Sequence, residues 1–214
     1  MTWRSAEFVA LDFESTGMNP ARDEVIQVGL VPLHGERVVL GGAWASWVRP
    51  TKPFQSGSVA VHGLSAERLQ DAPAVADVRP ALAEHLAQRV LIAHYAELER
   101  GFLKRWGIKP PPTVDTLMLA LALDGHLKGG QTTQTARRDA YTLTALARRF
   151  GVDVYGEHDA LADALITAQV FLVIATELER SGQASTVRVS SLARCRAAAT
   201  RPSSSCPMTL VAVS

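Results

Sequence analysis

Hydrophobic and polar positions near the start of the chain follow the two-residue period of β-strands. Residues 7–13 alternate and are rich in large apolar side chains, which predicts a strand. Residues 25–33 and 37–48 predict two more strands. The short connection between these two contains Gly35, which is typical of an antiparallel hairpin.

Further along the chain, helical spacing alternates with short apolar runs. Residues 73–88 place apolar side chains on one side of a helix. Residues 89–93 predict a short strand that leads into a helix over 95–106, which is ended by the three prolines at 110–112. Residues 114–123 fit either a strand or a helix, and we interpret them as a short strand that turns into a helix.

The last apolar patterns predict two amphipathic helices, over residues 141–150 and 159–180. Residues 124–139, with two adjacent glycines, predict a flexible loop and a candidate lid. Three antiparallel strands followed by strands that alternate with helices predict an α/β fold, in which a mixed sheet is flanked by helices.

Length and composition indicate one folded domain with an appendage. The chain has 214 residues, of which 47% are hydrophobic and 20% are charged. We expect a domain over residues 1–182 and a loosely attached Ser-, Ala- and Arg-rich tail over 183–214. Without an apolar run of about 18–20 residues or a signal-peptide pattern, the expected location is the cytoplasm, with no membrane attachment. Cys195 and Cys206 both lie in the tail, which fits a reducing compartment.

The formal charge is nearly balanced, at +1, but it is unevenly distributed. Residues 1–179 hold 17 basic and 21 acidic side chains, whereas residues 180–214 hold five arginines and no acid. A nucleic-acid partner would therefore contact local basic clusters, such as Lys104 with Arg105, because the domain as a whole offers no bulk attraction.

Two carboxylates stand at the end of the first predicted strand. Asp12 and Glu14 are two residues apart and share one face, while Leu11 and Phe13 point to the core on the other. Neighbouring carboxylates repel each other, and a hard divalent cation with oxygen ligands would offset that repulsion. Taken alone, such a pair is more often an exposed strand end.

A third carboxylate, Glu99, shares an apolar helix face with Tyr95, Phe102 and Trp106. An acid in an apolar stripe is costly unless it meets a cation. That cation is either a metal ion or an arginine at the edge of the stripe, and this segment alone favours neither.

The last constellation lies at the start of the long C-terminal helix. Asp159 is well placed as its N-cap, and Asp163 lies one turn inside a stretch of Ala and Leu. His158 precedes the helix and is free to reach whatever Asp163 holds. Taken alone, a histidine at this place is more often an ordinary surface residue.

Together these segments resemble the DEDDh family of 3′-to-5′ exonucleases, the superfamily of the proofreading epsilon subunit of bacterial DNA polymerase III. The resemblance runs from about residue 7 to residue 179, and it implies a ribonuclease H-like mixed sheet. Its three motifs, in the family's order, are Asp12-Phe13-Glu14-Ser15-Thr16-Gly17, Ala93-His94-Tyr95-Ala96-Glu97-Leu98-Glu99 and His158-Asp159-Ala160-Leu161-Ala162-Asp163-Ala164. The segment Val61-His62-Gly63-Leu64 is similar to the family's segment between the first two motifs.

The resemblance implies a nuclease with two divalent ions, Mg²⁺ or Mn²⁺, about 3.5–4 Å apart. By this analogy Asp12 bridges both ions. Glu14 and Asp163 complete the site of one ion, and Glu99 holds the other directly or through water. His158 is the implied general base that removes a proton from the attacking water.

The implied substrate is the 3′ end of single-stranded nucleic acid, with DNA favoured over RNA, and the product is a nucleoside 5′-monophosphate. A DNA polymerase or another replication or repair protein is the implied protein partner. The candidate substrate contacts are Thr16, Gly17, Met18, His62 and His94.

Two residues depart from the family pattern. Glu99 stands where the family usually has Asp, and Tyr95 stands where it usually has Asn. A Glu is only one methylene longer, so its charge and its reach to a metal-bound water are retained. The alternative function is a catalytically weak or inactive domain of the same fold that binds nucleic acid or a replication partner. The complete set of acids with the histidine favours the enzyme.

Overall fold

The structure is a computed structural model that describes residues 2–51, 69–127, 138–156 and 158–181. The segment at 61–64, residues 128–137 of the predicted loop and the tail predicted for 183–214 lie outside these residues. The division into domain and tail therefore stays a prediction.

A mixed sheet of six strands lies at the centre of the described fold. Its strands are β1 Glu7–Ser15, β2 Val25–His34, β3 Arg37–Val38, β4 Trp44–Trp47, β5 Val90–Ala93 and β6 Thr113–Asp115. The order is β3-β2-β1-β5-β6, and β4 also pairs with β2. The pairs within β1–β4 are antiparallel, whereas β5 is parallel to both β1 and β6. This arrangement confirms the predicted mixed sheet.

The third predicted strand, over residues 37–48, was wrong as a single element. A 3₁₀ turn at Leu40–Gly42 divides it into β3 and β4, which pair with opposite ends of β2. Pro32 of β2 explains the break. Its carbonyl accepts a hydrogen bond from the Val39 N–H at 2.9 Å, but proline has no N–H to donate in return, so the ladder is interrupted.

Five α-helices flank the sheet in the described part of the chain: α1 Val75–Leu86, α2 Glu97–Arg105, α3 Thr116–Leu127, α4 Leu143–Arg149 and α5 Ala160–Arg180. The predicted helices are confirmed, except that α2 begins at Glu97 and not at Tyr95. Tyr95 has a left-handed backbone before the helix, so the predicted helix face shared by Tyr95 and Glu99 was wrong. The predicted loop at 124–139 is wrong at both ends, because α3 continues to Leu127 and a 3₁₀ turn occupies Arg138–Tyr141. Asp124 stabilises the extra turn through its ion pair with Arg149 of α4.

Alternating residues of β1 face two separate hydrophobic clusters. Phe8 and Ala10 pack with Phe171 and other residues of α5 on one face of the sheet. Leu11 and Phe13 pack on the other face, in the cluster that includes residues of α1 and α2. This alternation places the next side chains of the α5 face, at positions 12 and 14, beside the first turn of α5.

The expectation that no apolar run reaches the length of a membrane span was wrong, because helix α5 is long and apolar enough to cross a membrane by length and composition alone. In this fold, however, half of its most apolar window is buried, and the helix packs against β1 and β2. It therefore has the character of a core helix.

Candidate active site

Three carboxylates meet where β1 approaches the first turn of α5. Asp12, Glu14 and Asp163 each offer one oxygen, and these three oxygens lie within 4.8 Å of one another. Glu14 is buried, while Asp12 and Asp163 are partly exposed. The structure thus brings together residues that are about 150 positions apart in the sequence, and oxygen donors at this spacing suit a hard divalent ion.

Helix α5 reaches this position because of Gly29, which pairs with Asp12 across β1 and β2. A β-carbon at Gly29 would lie 2.1 Å from the carbonyl carbon of Ala160 and 2.2 Å from the amide nitrogen of Leu161. Only a residue without a side chain allows the start of α5 to lie so close to the sheet. Sequence reasoning missed this role, although a glycine inside an apolar strand is a signal of close backbone approach.

Gln27 fixes the same helix end through its side-chain amide. Its Nε2 donates to Asp159 Oδ2 at 2.8 Å, and its Oε1 accepts the N–H of Ala160 at 3.1 Å. The other oxygen of Asp159 accepts the N–H groups of Leu161 and Ala162, which confirms the predicted N-cap. Gln27 was not singled out from the sequence, because nothing in the local pattern indicates a partner 132 residues away.

The fourth predicted carboxylate, Glu99, is almost completely buried at 2% exposure on α2. Its Oε2 atom is buried and has no hydrogen-bond partner among the described residues, and no arginine of the described part pairs with it. Burial, followed by the charge of Asp12, raises the pKa of Glu99. An unpartnered buried carboxylate oxygen is costly, and a bound cation would satisfy it.

Burial and repulsion raise the pKa values of three of these carboxylates, Asp12, Glu14 and Glu99. Burial is the main cause at Asp12, whose pKa lies well above its usual range, and the charges of Asp163 and Glu14 add to it. Burial, followed by the charge of Asp163, raises the pKa of Glu14 to about 7. Burial is also the main cause at Glu99, with Asp12 second. Without a cation the cluster therefore resists full ionisation, so these residues fit a divalent metal centre.

Asp115 positions α2 and was also missed by sequence reasoning. It is buried at the carboxyl end of β6, where its side chain accepts the N–H groups of Tyr95 at 3.2 Å and Ala96 at 2.9 Å. It also accepts the N–H of Leu117 at 2.9 Å, at the start of α3. One carboxylate thereby joins the beginnings of two helices and fixes the helix that carries Glu99.

His158 lies on the connection into α5, directly before the Asp159 cap. It is exposed, and its backbone has a left-handed conformation with φ of 68°. The turn is closed by the Asp159 N–H, which donates to the carbonyl of Gly156 at 3.0 Å. His158 is not one of the clustered carboxylates, but it lies directly before the helix whose first turn carries Asp163.

The segment after β1 contains three of the predicted substrate contacts. Thr16 is joined to Glu24 by two hydrogen bonds of 2.8 and 2.9 Å, which close the loop. Gly17 packs closely against Asp23, because a β-carbon there would lie 2.5 Å from its carboxylate. Met18 is 70% exposed beside them.

The two predicted histidine contacts differ in position. His94 Nδ1 lies 2.9 Å from Thr116 Oγ1, and the backbone of Tyr141 also hydrogen-bonds to the ring. Burial lowers the pKa of His94 to about 4, so the ring is neutral at physiological pH. His62 lies outside the described residues. The substrate role of both histidines stays a prediction.

Comparison with known proteins agrees with this fold and site. The chain matches the exonuclease family model, RNase_T, over residues 9–171 and belongs to this family. It is 29% identical to a PolC-type DNA polymerase III of Thermotoga maritima over 85% of its own length, but spans only 13% of that protein. It is 27% identical to the DNA polymerase III epsilon subunit of Aquifex aeolicus, covering 80% of this chain and 81% of the relative.

Among solved structures, E. coli exonuclease I in complex with a dT13 oligonucleotide superimposes with a TM-score of 0.69. The match covers 82% of this chain and 42% of that chain at 18% identity, which supports the ribonuclease H-like fold. The resemblance found in the sequence is thus confirmed at the level of the exonuclease family.

Proposed function

We propose that this protein is a DEDDh-type 3′-to-5′ exonuclease that trims single-stranded DNA and releases nucleoside 5′-monophosphates. The main support is the meeting of Asp12, Glu14 and Asp163 within 4.8 Å of one another, with Glu99 coupled to Asp12. A domain that only binds nucleic acid has no chemical need for carboxylates whose burial and repulsion raise the pKa values of Asp12, Glu14 and Glu99.

The proposed cofactors are two divalent ions, Mg²⁺ or Mn²⁺. Asp12 would contact both, Glu14 and Asp163 would complete one site, and Glu99 would hold the second ion with its unpartnered oxygen. An all-oxygen ligand set favours these ions over zinc. When bound, such a pair lowers the pKa of an attacking water and stabilises the charge on the leaving 3′ oxygen.

His158 is the proposed general base. It is exposed at the start of α5, and an imidazole nitrogen can accept a proton from water as a general base. The left-handed backbone at His158 and at Gly156 fixes the turn that presents it. After the bond breaks, the protonated imidazole would return its proton to solvent.

The strand end is the proposed site for the last nucleotide. The closed loop of Thr16 and Gly17 would contact the 3′-terminal sugar, and Met18 offers an exposed apolar side chain to the terminal base. His62 and His94 are proposed as further contacts. DNA is favoured over RNA because the relatives are named as DNA polymerase III proteins. A DNA polymerase is the proposed partner, and the cytoplasm is the proposed location.

The test uses single-stranded DNA and RNA of the same sequence, each labelled at the 5′ end, with Mg²⁺, Mn²⁺ or EDTA. A 3′-to-5′ exonuclease yields a ladder of progressively shorter labelled products, whereas attack from the 5′ end releases the label at once. Asp12→Ala is expected to abolish trimming. Glu84→Gln, which removes an exposed acid on α1, is the control.

Absence of trimming by the folded wild-type protein with either metal would contradict the proposal. Binding of the same oligonucleotides without cleavage would instead support the alternative of an inactive nucleic-acid-binding domain.

A further inference from the structure

Two exposed hydrophobic side chains follow the neighbouring strands β1 and β5, and one of them has no role in the proposed function. Met18 follows β1 and is 70% exposed, and Tyr95 follows β5 and is 50% exposed. Strands β1 and β5 are parallel neighbours, so their carboxyl ends lie at the same edge of the sheet. Adjacent strands are about 4.8 Å apart, so the segments that carry Met18 and Tyr95 leave the sheet at the edge where β1 carries Asp12 and Glu14.

The backbone of Tyr95 is held in an unusual conformation. Its φ is 59°, in the left-handed region that non-glycine residues rarely adopt. Its N–H donates to Asp115 at 3.2 Å, and its carbonyl accepts the N–H of Leu98 at 3.1 Å. A strained residue persists only where its surroundings fix it, and such residues concentrate at functional sites.

The side chain of Tyr95 contributes little to the core. Half of its surface is exposed, it belongs to none of the hydrophobic clusters of the described residues, and its hydroxyl has no hydrogen-bond partner among them. It comes just before α2, the helix that carries Glu99. An aromatic ring is therefore presented to solvent from a hydrogen-bonded backbone, at the edge of the sheet where β1 carries Asp12 and Glu14.

We infer that Tyr95 stacks on an unpaired base near the 3′ end of the strand and so favours single-stranded substrates. Stacking on an aromatic ring binds single-stranded nucleic acid with little sequence preference, because every base has a flat face. The terminal base of a blunt duplex is already paired and stacked, so it gains less from this contact. The inference rests on the proposed function, since it names a substrate contact of the same site.

The test compares Tyr95→Ala with Tyr95→Phe, which keeps the ring, and with Leu40→Ala as a control. Leu40 is 64% exposed and lies on the 3₁₀ turn between β3 and β4, next to the point where Val39 bonds to Pro32 on the outer side of β2. Strands β2 and β1 therefore separate it from β5. The alanine variant at position 95 should raise KM for single-stranded DNA about 5- to 20-fold, with kcat changed less than about twofold. The phenylalanine variant and the Leu40→Ala control should have the same KM and kcat as the wild type.

A direct readout of stacking comes from 2-aminopurine placed at each of the last three positions of the oligonucleotide. In an Asp12→Ala background that binds without cleaving, its fluorescence should be quenched at one of these positions when Tyr or Phe occupies position 95. Quenching should be lost with Ala. The preference for single strand over blunt duplex, measured as a ratio of kcat/KM values, should fall by the same factor as KM rises.

Unchanged KM and quenching in Tyr95→Ala, in an enzyme that trims normally, would overturn this inference while leaving the proposed function intact. A loss of several degrees in Tm with proportional loss of activity would also overturn it, because the ring would then be structural. If the wild type neither trims nor binds these strands, the proposed function fails and this inference fails with it.

Discussion

Gly29 and Ala160 are so close that the backbone of α5 occupies the space that a side chain at position 29 would need. The carbonyl carbon of Ala160 would lie 2.1 Å from a β-carbon on Gly29, and the other nearest atoms also belong to the backbone of Ala160 and Leu161. Gly29 is also the residue paired with Asp12. The contact therefore determines how near Asp163 can come to the carboxylates of β1.

Gly29→Ala should both destabilise the protein and inactivate it. The added methyl group forces the start of α5 away from the sheet, and overpacking of this kind costs about 1–3 kcal/mol, or more where backbone must move. Chemical denaturation measures the loss in free energy of unfolding, and mononucleotide release measures activity. Gly41→Ala is the matched control, because nothing lies within 4 Å of a β-carbon there. Equal effects at both glycines would contradict the assigned role.

Asp115→Ala should reduce activity although Asp115 is assigned no contact with metal or substrate. Several backbone N–H groups at the starts of α2 and α3 lose their acceptor, with an expected cost of about 2–4 kcal/mol. Because α2 carries Glu99, trimming should fall even at temperatures where the variant is fully folded. Asp71→Ala, which removes an exposed aspartate, is the control. Normal kcat in the folded Asp115 variant would show that the position of Glu99 does not depend on Asp115.

In EDTA, the protein should lose stability as pH rises, through the carboxylate cluster. Burial and repulsion raise the pKa of Glu14 to about 7 in the folded state, above the 4.5 of an exposed Glu. The folded state therefore binds the proton more tightly than the unfolded state. This contribution is complete below about pH 4.5 and is lost as pH rises through 7.

Comparison with Glu14→Gln isolates this effect, because the depressed pKa of His94 acts in the opposite direction over part of the same range. Between pH 4.5 and pH 8, the free energy of unfolding of the wild type should fall by about 2 kcal/mol relative to the Gln variant. Added Mg²⁺ should restore the free energy of unfolding of the wild type at pH 8. A wild type that gains stability relative to the variant would contradict the predicted sign.

Glu99→Gln should separate stability from activity. Removing the buried charge beside Asp12 relieves repulsion, so the metal-free protein should become more stable at pH 8 by about 1–2 kcal/mol. Loss of a metal-binding oxygen should lower the rate of trimming at least about 100-fold. Calorimetric titration with Mn²⁺ should show weaker binding.

Glu97→Gln, an exposed glutamate on the same helix, is the control for this pair of effects. Glu99→Asp keeps the charge and should remain active. If Glu99→Gln were as active as Glu97→Gln, Glu99 would have no part in the reaction.

The local pattern of the sequence predicted the sheet, the helices and the shared face of Asp12 and Glu14, because alternation and helical spacing depend on neighbouring residues. Asp159 was predicted as a cap for the same reason. Gln27 and Asp115 were missed because each acts on residues that are distant in the sequence. The break between β3 and β4 depends on Pro32 of a different strand, so the pattern of residues 37–48 alone did not reveal it.

The position of α5 has a consequence for the time at which activity can arise. Asp12 and Glu14 belong to the first strand, which is central in the sheet, whereas Asp163 belongs to a helix that follows all six described strands. During synthesis on the ribosome, the proposed metal centre would be incomplete until this helix has emerged and packed against β1 and β2. A nascent chain would therefore gain the proposed activity only after α5 has packed against the sheet.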